Sequence, residues 1–474
     1  MAKVLLLSPH SSGPGTGLKN IPGRYYPFGL GYLASYLIKY GGHHVQMYDP
    51  VAQGLSIRNI SEIIINFKPD IIGITCLTFN FTRAIELAKL CRLNSKAKIV
   101  LGGVHASALP EFILKKYADC LDCIVVGEGE ITMLELVKAY QDSGSLEGVK
   151  GIAYKRKEEI ILNAERFYIE NLDSIPVPAR QLIPQSLYIP NMHNAQYRNC
   201  LSIITSRGCP FSCSFCAARI ISGRRYRAHS PEYVLDEMEM LKKDYQARQI
   251  IITDDNFTVD YPRLERICQG MIDRKLSLKW FCFSHINTVN RKMLVLMKEA
   301  GCSTIAFGLE SSDEETLRRI GKSLSIDRAK ETVKLANQLG FKTATFYLLG
   351  CPGETKKQAI NTLKFSRKVN STLVFYSMFI PLPGTKAFNY FFPGVPLETI
   401  DWENFLKRRD CRLRDYEIPN REVEKIINRG LLVYYFHPKR FFNLLLHIRT
   451  IYELMNYLKG GIALCRRVLK ARIC

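Results

Sequence analysis

The run Ser206-Arg-Gly-Cys209-Pro-Phe-Ser-Cys213-Ser-Phe-Cys216 decides the fold of this chain. Its cysteines are spaced C-x3-C-x2-C, and an aromatic residue directly precedes the last of them. Three thiolates on one tight loop can hold three irons of a 4Fe–4S cluster. The fourth iron then has no protein ligand, and an open coordination position is typical of catalytic metal sites. The alternatives are three buried cysteines clustered by chance, or a zinc knuckle that lacks its fourth ligand.

From residue 200 onward the sequence alternates short apolar runs with longer amphipathic ones, which predicts strand–helix units. The predicted strands are 201–205, 249–253, 279–283, 304–307, 344–349 and 372–379. Six strands fall short of the eight in a closed barrel. Polar or glycine-rich turns follow several of them, at the strand ends where barrels place their chemistry.

The cysteine run, together with these turns, resembles the radical SAM superfamily over residues 200–390. In that superfamily the open iron chelates the amino and carboxylate groups of S-adenosylmethionine (SAM). One electron from the cluster then cleaves SAM to methionine and a 5′-deoxyadenosyl radical. The resemblance implies an open (β/α)6 barrel in which Cys209, Cys213 and Cys216 are the catalytic ligands of the cluster.

The turns after the strands supply the candidate SAM-binding residues. Acidic and amide side chains in Asp254-Asp255-Asn256 can accept hydrogen bonds from the SAM ammonium group. The run Glu310-Ser311-Ser312 could bond the ribose or the carboxylate. Gly350 and the backbone of Phe215 are expected beside the adenine, since a glycine lets backbone approach closely. Each turn alone is an ordinary loop, and their order after the cysteine run is what favours a site.

The first 145 residues also alternate strands with helices, with strands predicted at 3–7, 44–48, 71–75, 98–101 and 123–126. Such alternation predicts an α/β fold with a parallel, doubly wound, Rossmann-like sheet. Ligands of these sheets lie outside the carboxyl ends of the strands.

Four runs in this part, at 26–33, 73–77, 100–105 and 125–130, resemble the cobalamin-binding domains fused to a large class of radical SAM enzymes. In those domains small residues admit the flat dimethylbenzimidazole tail between strand ends and backbone. The resemblance implies cofactor contacts at Thr75, Leu77, Gly102, Gly103, Val104, Gly127, Glu128 and Gly129. A nucleotide-binding domain is the alternative, but the turn after the first strand lacks Gly-x-Gly-x-x-Gly.

Many cobalamin domains carry Asp-x-His-x-x-Gly, whose histidine is the lower cobalt ligand, whereas this chain has Ser8-x-His10-x-x-Gly13. His10 lacks the carboxylate that would orient it, and it follows the predicted strand too closely. A polar loop histidine is therefore the favoured interpretation. His43, His44 and His105 are weaker candidates, and the lower ligand is left open.

These patterns divide the chain into four parts. They are a cobalamin-binding domain at 1–145, a hairpin and proline-rich linker at 146–199, the barrel at 200–395 and a small helical, basic region at 396–474. No run approaches the ~18–20 apolar residues that a membrane span needs.

Fifteen cysteines without a signal peptide argue for a reducing cytoplasm and against a disulfide scaffold. Most of those outside the cluster run, Cys76, Cys282 and Cys302 among them, lie in apolar contexts typical of a core. Cys120 and Cys123 have metal-ligand spacing, but no second pair lies nearby, so a structural role is favoured.

The net charge of +22 is marked at the C-terminus, where residues 431–474 carry eight Lys or Arg and one acid, Glu453. Basic helices with broad apolar faces are compatible with peripheral contact to an anionic membrane. A helical cap on the barrel is the favoured alternative, and both can hold. No specific nucleic-acid partner is expected, because the methylthiotransferases that modify tRNA carry a second, N-terminal cysteine triad that this chain lacks.

The resemblance implies a C-methyltransferase that uses methylcobalamin to methylate an unactivated carbon. One SAM would supply the radical, and a second would remethylate the cobalt. The related enzymes include hopanoid methylases and the magnesium-protoporphyrin oxidative cyclase, so ring formation without methyl transfer is the alternative. The C-terminus favours a lipid or isoprenoid over other small-molecule substrates, and an electron donor such as flavodoxin or ferredoxin is expected.

Overall fold

A computed structural model describes residues 1–9, 24–142, 145–188, 195–405 and 416–473 of the chain. These residues form two parallel α/β units, which a linker joins and three C-terminal helices follow. The predicted fold class is therefore confirmed.

The first unit is a seven-stranded sheet in the order β2-β1-β3-β4-β5-β6-β7. Its strands are β1 (Lys3–Leu7), β2 (His44–Tyr48), β3 (Ile71–Thr75), β4 (Lys98–Gly102), β5 (Cys123–Val125), β6 (Ile152–Arg156) and β7 (Glu159–Leu162). The first five are parallel, and the predicted hairpin, β6–β7, adds two antiparallel strands at one edge. The strand order reverses between β1 and β3, and sheets of this kind bind ligands beside that reversal.

Helices cover both faces of this sheet. They are α1 (Phe28–Gly41), α2 (Ile57–Phe67), α3 (Phe81–Asn94), α4 (Val104–Ala108), α5 (Pro110–Tyr117) and α6 (Glu130–Gln141). Burial on both faces explains why the strands read as continuous apolar runs. Local sequence sets the helix ends: Gly42 ends α1 in the left-handed conformation, and Ser56 forms a capping box at the start of α2.

The second unit is an open six-stranded parallel barrel with a short antiparallel ribbon inserted after its first strand. In chain order the strands are β8 (Cys200–Ile203), β9 (Ser206–Arg207), β10 (Arg227–Ala228), β11 (Gln249–Ile252), β12 (Lys279–Ser284), β13 (Cys302–Glu310), β14 (Lys342–Leu349) and β15 (Leu373–Met378). The barrel order is β8-β11-β12-β13-β14-β15, and the ribbon pairs β9 with β10. The predicted barrel strands are confirmed with shifted ends. The ribbon was missed, because strands of two residues carry no periodic signal.

Helices between the strands surround the barrel. They are α7 (Arg219–Ser222), α8 (Pro231–Asp244), α9 (Tyr261–Asp273), α10 (Arg291–Glu299), α11 (Glu314–Arg319), α12 (Ile326–Gln338), α13 (Lys356–Val369) and α14 (Lys386–Phe391). Side chains cap the starts of most of them, for example Ser230, Asp260 and Asn290.

Three C-terminal helices, α15 (Asn420–Tyr435), α16 (Pro438–Leu446) and α17 (Ile451–Ile473), close the amino end of the barrel. Glu453 of α17 forms a buried ion pair with Lys342, the first residue of β14. Four side chains of these helices pack against the inward-facing residues of the strands: Tyr435, Leu444, Tyr452 and Tyr457. The predicted cap is therefore present. Within the described ranges, no helix has the length and hydrophobicity needed to cross a lipid bilayer.

Arg180 in the linker ties the two units together. Its guanidinium pairs with Glu237 of α8 at 3.0 Å and donates to the carbonyl oxygen of Ser202 in β8. The Arg180 and Glu237 side chains are each 1% exposed. On the side of the first unit, Arg180 lies over the rings of Tyr26 and Phe28. Because a buried charge is costly without its partner, this pair fixes the linker against both units.

Candidate active site

The cysteines of the cluster run lie on one loop between β9 and β10. Gly208 begins this loop with φ +84°, and a Cβ there would collide with the carbonyl oxygen of Arg225, so the position requires glycine. Ser214 donates its N–H to the carbonyl of Ile320 at 2.8 Å and accepts at its own carbonyl from the Ala387 N–H at 3.0 Å. The loop is thus anchored to the segments that follow β13 and β15.

The three thiols are half-buried. Burial raises the pKa of each thiol, to about 11 for Cys216, and backbone N–H groups partly offset this effect at Cys209 and Cys216. Iron coordination would deprotonate them. Across the described residues, no three His, Cys, Asp or Glu side chains converge on a position for a single metal ion. Three thiols on one loop are the donor set of a 4Fe–4S cluster, each at a different iron, and this assignment stays a prediction.

The two neighbouring aspartates after β11 have different environments. Asp254 is buried, and its carboxylate oxygens accept from the Thr205 N–H, the Thr205 hydroxyl and the Ser206 hydroxyl, each at 2.6 Å. Asp254 therefore ties the ends of β8 and β11. Asp255 is exposed at the barrel mouth, where the surrounding protein and Asp254 raise its pKa, and no described residue hydrogen-bonds to its side chain. Both SAM contacts stay predictions, and the geometry favours Asp255.

Two buried N–H donors at the ends of β11 and β12 have no hydrogen-bond partner among the described residues. They are Asn256 Nδ2 and His285 Nε2. The Asn256 Oδ1 accepts from the backbone N–H of His285 at 3.2 Å, and the His285 ring stacks on Phe211 of the cysteine loop with centroids 3.8 Å apart. Burial lowers the pKa of His285 to about 3, so the ring stays neutral. An unpaired buried donor is costly, so this pair fits a site for a polar group. His285 carried no motif and was missed by the sequence analysis.

Glu310 ends β13 in the left-handed region with φ +64°, which costs a residue other than glycine roughly 1–3 kcal/mol. Its buried carboxylate pairs with Lys322 Nζ at 3.3 Å. Burial raises the pKa of Glu310, and Lys322 opposes that shift only in part. Burial raises the pKa of the Cys213 thiol, and Lys322 opposes that shift in part. Backbone strain beside a buried charge pair is typical of functional sites. Lys322 was missed, because a Gly-Lys pair reads as an ordinary turn.

The two serines predicted beside Glu310 face a neighbouring helix. The Ser311 and Ser312 hydroxyls each lie 3.3 Å from Thr362 Oγ1 on α13. Ser311 also accepts from the Asp313 N–H at 3.2 Å. These hydroxyls are engaged in joining β13 to α13, so their predicted SAM contacts stay predictions.

The predicted adenine residues lie at two other turns of the mouth. Gly350 follows β14 with φ +70°, and its N–H donates to the Glu354 carboxylate at 2.6 Å. Phe215 lies edge-on to Phe379, which follows β15, with ring centroids 6.1 Å apart. The structure therefore brings both segments to the mouth, where their contact with adenine stays a prediction.

The predicted cobalamin residues meet at the carboxyl edge of the first sheet. All but Glu128 are half-buried, although they follow buried strands: Thr75, Leu77, Gly102, Gly103, Val104, Gly127 and Gly129. Gly103 has φ +100°, and a Cβ on it would lie 2.6 Å from the carbonyl oxygen of Cys76. A Cβ on Gly102 would instead meet Val125 at 3.8 Å, an ordinary contact. This edge of the sheet, here called the cobalamin groove, is where the resemblance places the cobalamin tail, and its contacts with the cofactor stay predictions.

The histidines considered as cobalt ligands lie elsewhere or outside the described residues. His105 is buried against Trp402, and burial lowers its pKa to about 3. His44 begins β2 and His43 precedes it, at the amino edge of the sheet. His10 lies outside the described residues, so the lower ligand stays open.

The Glu128 carboxylate joins the two units. It accepts hydrogen bonds from Arg207 at 3.0 Å, from both terminal nitrogens of Arg227 at 3.0 Å and from the Ile169 N–H at 2.9 Å. Glu130 accepts from Arg207 at 2.6 Å. Burial alone would raise the pKa of Glu128, but the two arginines hold it below its ordinary value. The predicted cobalamin contact of Glu128 stays a prediction, and its side chain is committed to the ribbon.

The inside of the barrel presents an apolar wall above the C-terminal cap. Phe346 stacks on Phe375 with centroids 4.7 Å apart, and Phe283 lies 6.2 Å from Phe346. Between them, at the register of Phe283, the strands carry the small residues Ala306 and Ala344. Ala306 and Ala344 are buried, whereas the three rings are half-buried, and the side of the barrel that these rings face is here called the chamber.

The cobalamin groove and the cysteine loop are neighbours. Ala108 ends the helix that follows the groove, and Ile220 lies in the helix that follows the cysteine loop. A Cβ on Gly384, in the turn after β15, would lie 2.7 Å from Ile220 and 3.0 Å from Ala108. The three segments therefore converge above the barrel mouth.

Comparison with known proteins agrees with this geometry. The model of the radical SAM superfamily matches residues 203–366, and that of the B12 binding domain matches residues 16–137. The chain is 32% identical over 439 residues to an uncharacterized methyltransferase of Pyrococcus horikoshii, covering 92% of this chain and 93% of that protein. It is 30% identical over 416 residues to the anaerobic magnesium-protoporphyrin IX monomethyl ester cyclase of Rubrivivax gelatinosus, covering 85% and 72%.

Among solved structures, OxsB, a cobalamin-dependent SAM radical enzyme with aqua-cobalamin and SAM bound, aligns with a TM-score of 0.75 at 20% identity. The alignment covers 97% of this chain and 72% of that one, so the two share a fold. The resemblance drawn from the cysteine run and the glycine pairs is confirmed. The chain belongs to the cobalamin-dependent radical SAM enzymes, whose cofactors are cobalamin, a 4Fe–4S cluster and SAM.

Proposed function

We propose that this enzyme is a C-methyltransferase that acts on an unactivated carbon of an apolar substrate. The observation that carries the proposal is the convergence of Ala108, Ile220 and Gly384, which sets the cobalamin groove beside the cysteine loop and above the chamber. A substrate carbon in the chamber would then face both cofactor sites. The near full-length similarity to a methyltransferase supports the same conclusion.

When bound, the cluster and SAM supply a radical that removes a hydrogen atom, and cobalamin supplies a methyl group. The chain itself binds and orients the cofactors and excludes water. The thiols of the cysteine loop hold the cluster, and Asp255 with the unpaired donors of Asn256 and His285 orients SAM. Gly102 and Gly103 admit cobalamin. The aromatic wall keeps water from a reactive site.

The chamber supports a lipid or isoprenoid as the substrate class. Its phenylalanine rings offer contact area and dispersion but no hydrogen bonds, so they favour an apolar hydrocarbon or a flat ring system. Ring formation is the second candidate function, because a cyclase relative acts on a flat macrocycle, magnesium-protoporphyrin IX monomethyl ester.

The exposed Arg224 beside the ribbon supports an acidic electron carrier, such as flavodoxin or ferredoxin, as the partner that reduces the cluster. Opposite charge at a docking surface mainly raises the rate of encounter.

Methyl-labelled SAM, supplied to the reconstituted enzyme with an extract of its source cells, separates these functions. Label in the lipid fraction supports methylation of an apolar substrate. Label confined to the aqueous fraction contradicts the substrate class but keeps the methyl transfer. Turnover of SAM that gives an unlabelled product with a new ring instead identifies a cyclase.

Gly102→Trp is expected to lower cobalamin occupancy at least tenfold while sparing the iron content. The β-carbon fits, but the indole would fill the groove. A substitution at Gly103 would be a poorer test, because its φ of +100° ties that glycine to the fold itself. Occupancy is read from the visible absorption of purified protein. The control is Leu93→Trp, at a side chain that is 85% exposed near the opposite edge of the sheet. Normal cobalamin uptake by Gly102→Trp would contradict the placement.

Helix α17 presents an exposed apolar stripe at the closed end of the barrel. Its residues recur at the spacing of one helix face: Ile451, Leu454, Met455, Leu458 and Ile462. Among the side chains described on this helix, the exposed charges, Lys459 and Arg466, are basic, while the acid Glu453 is buried in an ion pair. Apolar side chains flanked by positive charge complement an anionic membrane surface, so we assign the stripe to peripheral membrane contact.

The double variant Lys459→Glu, Arg466→Glu is expected to weaken binding to anionic vesicles roughly 30-fold, since each basic residue near such a surface contributes about 1 kcal/mol. Co-sedimentation at low salt measures the effect. The control is Lys243→Glu, Lys334→Glu, which makes the same charge change on barrel helices. Arg440 is avoided, because it packs on Tyr434. If the wild-type protein does not bind such vesicles, the assignment is contradicted. If that protein is then found to be a dimer, the stripe would be assigned to an interface between two copies.

A further inference from the structure

One loop of the first unit holds both strands of the ribbon that carries the cysteine loop. Arg207 and Arg227 lie directly opposite each other in the β9–β10 pair. Like charges at such a cross-strand position repel. The Glu128 carboxylate contacts both arginines, and Glu130 contacts Arg207 a second time. Docking of residues 127–130 against the ribbon therefore neutralises the repulsion that opposes its pairing.

These contacts are buried and directional. The Glu128 and Arg227 side chains are 4% and 2% exposed, and the Arg227 fork binds both carboxylate oxygens. Arg227 also donates to the carbonyls of Ile169 and Ser222. Bidentate arginine–carboxylate pairs fix orientation as well as distance. Arg207 precedes the first cluster cysteine by two residues, so the position of Arg207 constrains where the cysteine loop begins.

The backbone of the same loop borders the cobalamin groove. Gly127 donates its N–H to Ser107 of α4 at 3.0 Å, and Gly129 precedes α6. A Cβ on Gly127 would meet nothing within 4 Å, so this side of the loop is open. One face of the loop thus belongs to the groove, and its two carboxylates belong to the ribbon.

We infer that Glu128 and Glu130 are positioning residues that set the distance and orientation of the cysteine loop relative to the cobalamin groove. The inference rests on the proposed placement of cobalamin but not on the identity of the substrate. A misplacement of about 1 Å can cost about 100-fold in rate, so reacting groups held in two different units need such a fixed link.

The test measures the magnetic interaction between the cobalt and the cluster, from which the distance between them follows. Both centres are prepared in the same sample in paramagnetic states, with cobalamin as Co(II) and the cluster reduced by one electron. The double variant Glu128→Gln, Glu130→Gln keeps side-chain size but leaves the opposed arginines without neutralisation. We expect its distribution of inter-centre distances to broaden or shift, with iron and cobalamin contents near wild type. We also expect the amount of 5′-deoxyadenosine formed per molecule of product to rise by about tenfold or more. Misalignment of the two centres should slow transfer to the substrate more than it slows cleavage of SAM.

The matched control is Glu135→Gln. Glu135 lies on α6, as Glu130 does, but its ion pair is with Arg166, away from the ribbon. It should leave the distance distribution unchanged. If the double variant does not take up both cofactors, Arg207→Lys is measured instead, since it keeps the charge but loses the fork. An unchanged distribution in whichever variant is measured overturns the inference. Failure of cobalamin to bind the wild-type groove would instead overturn the proposed function.

Discussion

Replacing Cys209, Cys213 and Cys216 together by alanine is expected to remove the iron-dependent absorption of the reconstituted protein and to abolish cleavage of SAM. The loop offers these three thiols as one donor set, so no partial cluster should survive their loss. Iron content and 5′-deoxyadenosine after anaerobic reconstitution with a reductant measure the effect.

The control is the triple alanine variant of Cys268, Cys282 and Cys302, which are buried in the barrel core. It removes the same number of thiols and should lower stability without lowering iron. Reductive formation of 5′-deoxyadenosine by the first variant would show that the cluster lies elsewhere. Loss of iron in both would point to misfolding rather than to lost ligands.

Arg180→Met is expected to lower the free energy of unfolding by roughly 3–5 kcal/mol, because it leaves the carboxylate of Glu237 buried without its partner. The double variant Arg180→Met, Glu237→Leu removes both charges and should recover most of that loss. Urea denaturation followed by circular dichroism measures both. Equal destabilisation by the single and double variants would mean that packing, rather than the unpaired charge, carries the effect.

Most of the parallel strands of both sheets could be predicted from the sequence because they are buried on two faces and read as apolar runs. The end of β13 could not. Prediction stopped at residue 307, whereas the strand continues through Gly308 to Glu310. Glycine and a left-handed glutamate read as a turn, and only the pairing with β14 keeps them in the sheet.

The site residues also fall into those that the sequence could predict and those that it could not. The cysteines and the paired glycines could be predicted, because their spacing along the chain is itself the motif. Asp254 and Asp255 are chemically identical, and only the fold shows that Thr205 and Ser206 occupy the first while the second faces the mouth. Glu128 was assigned to a cofactor because its run resembles cobalamin domains. Its partners Arg207 and Arg227 lie about 80 and 100 residues away, beyond any local pattern.

The C-terminal helices have a consequence for which carbon can be modified. They occupy the amino end of the barrel, with Tyr435 and Tyr457 packed against its inner wall and Glu453 locked to Lys342. The chamber is therefore closed at the amino end of the barrel. A long molecule can enter it by one tip but cannot be threaded through to expose a position halfway along. For the proposed apolar substrate, this closure predicts attack near a terminus or at the rim of a ring, at a position set by the depth of the barrel.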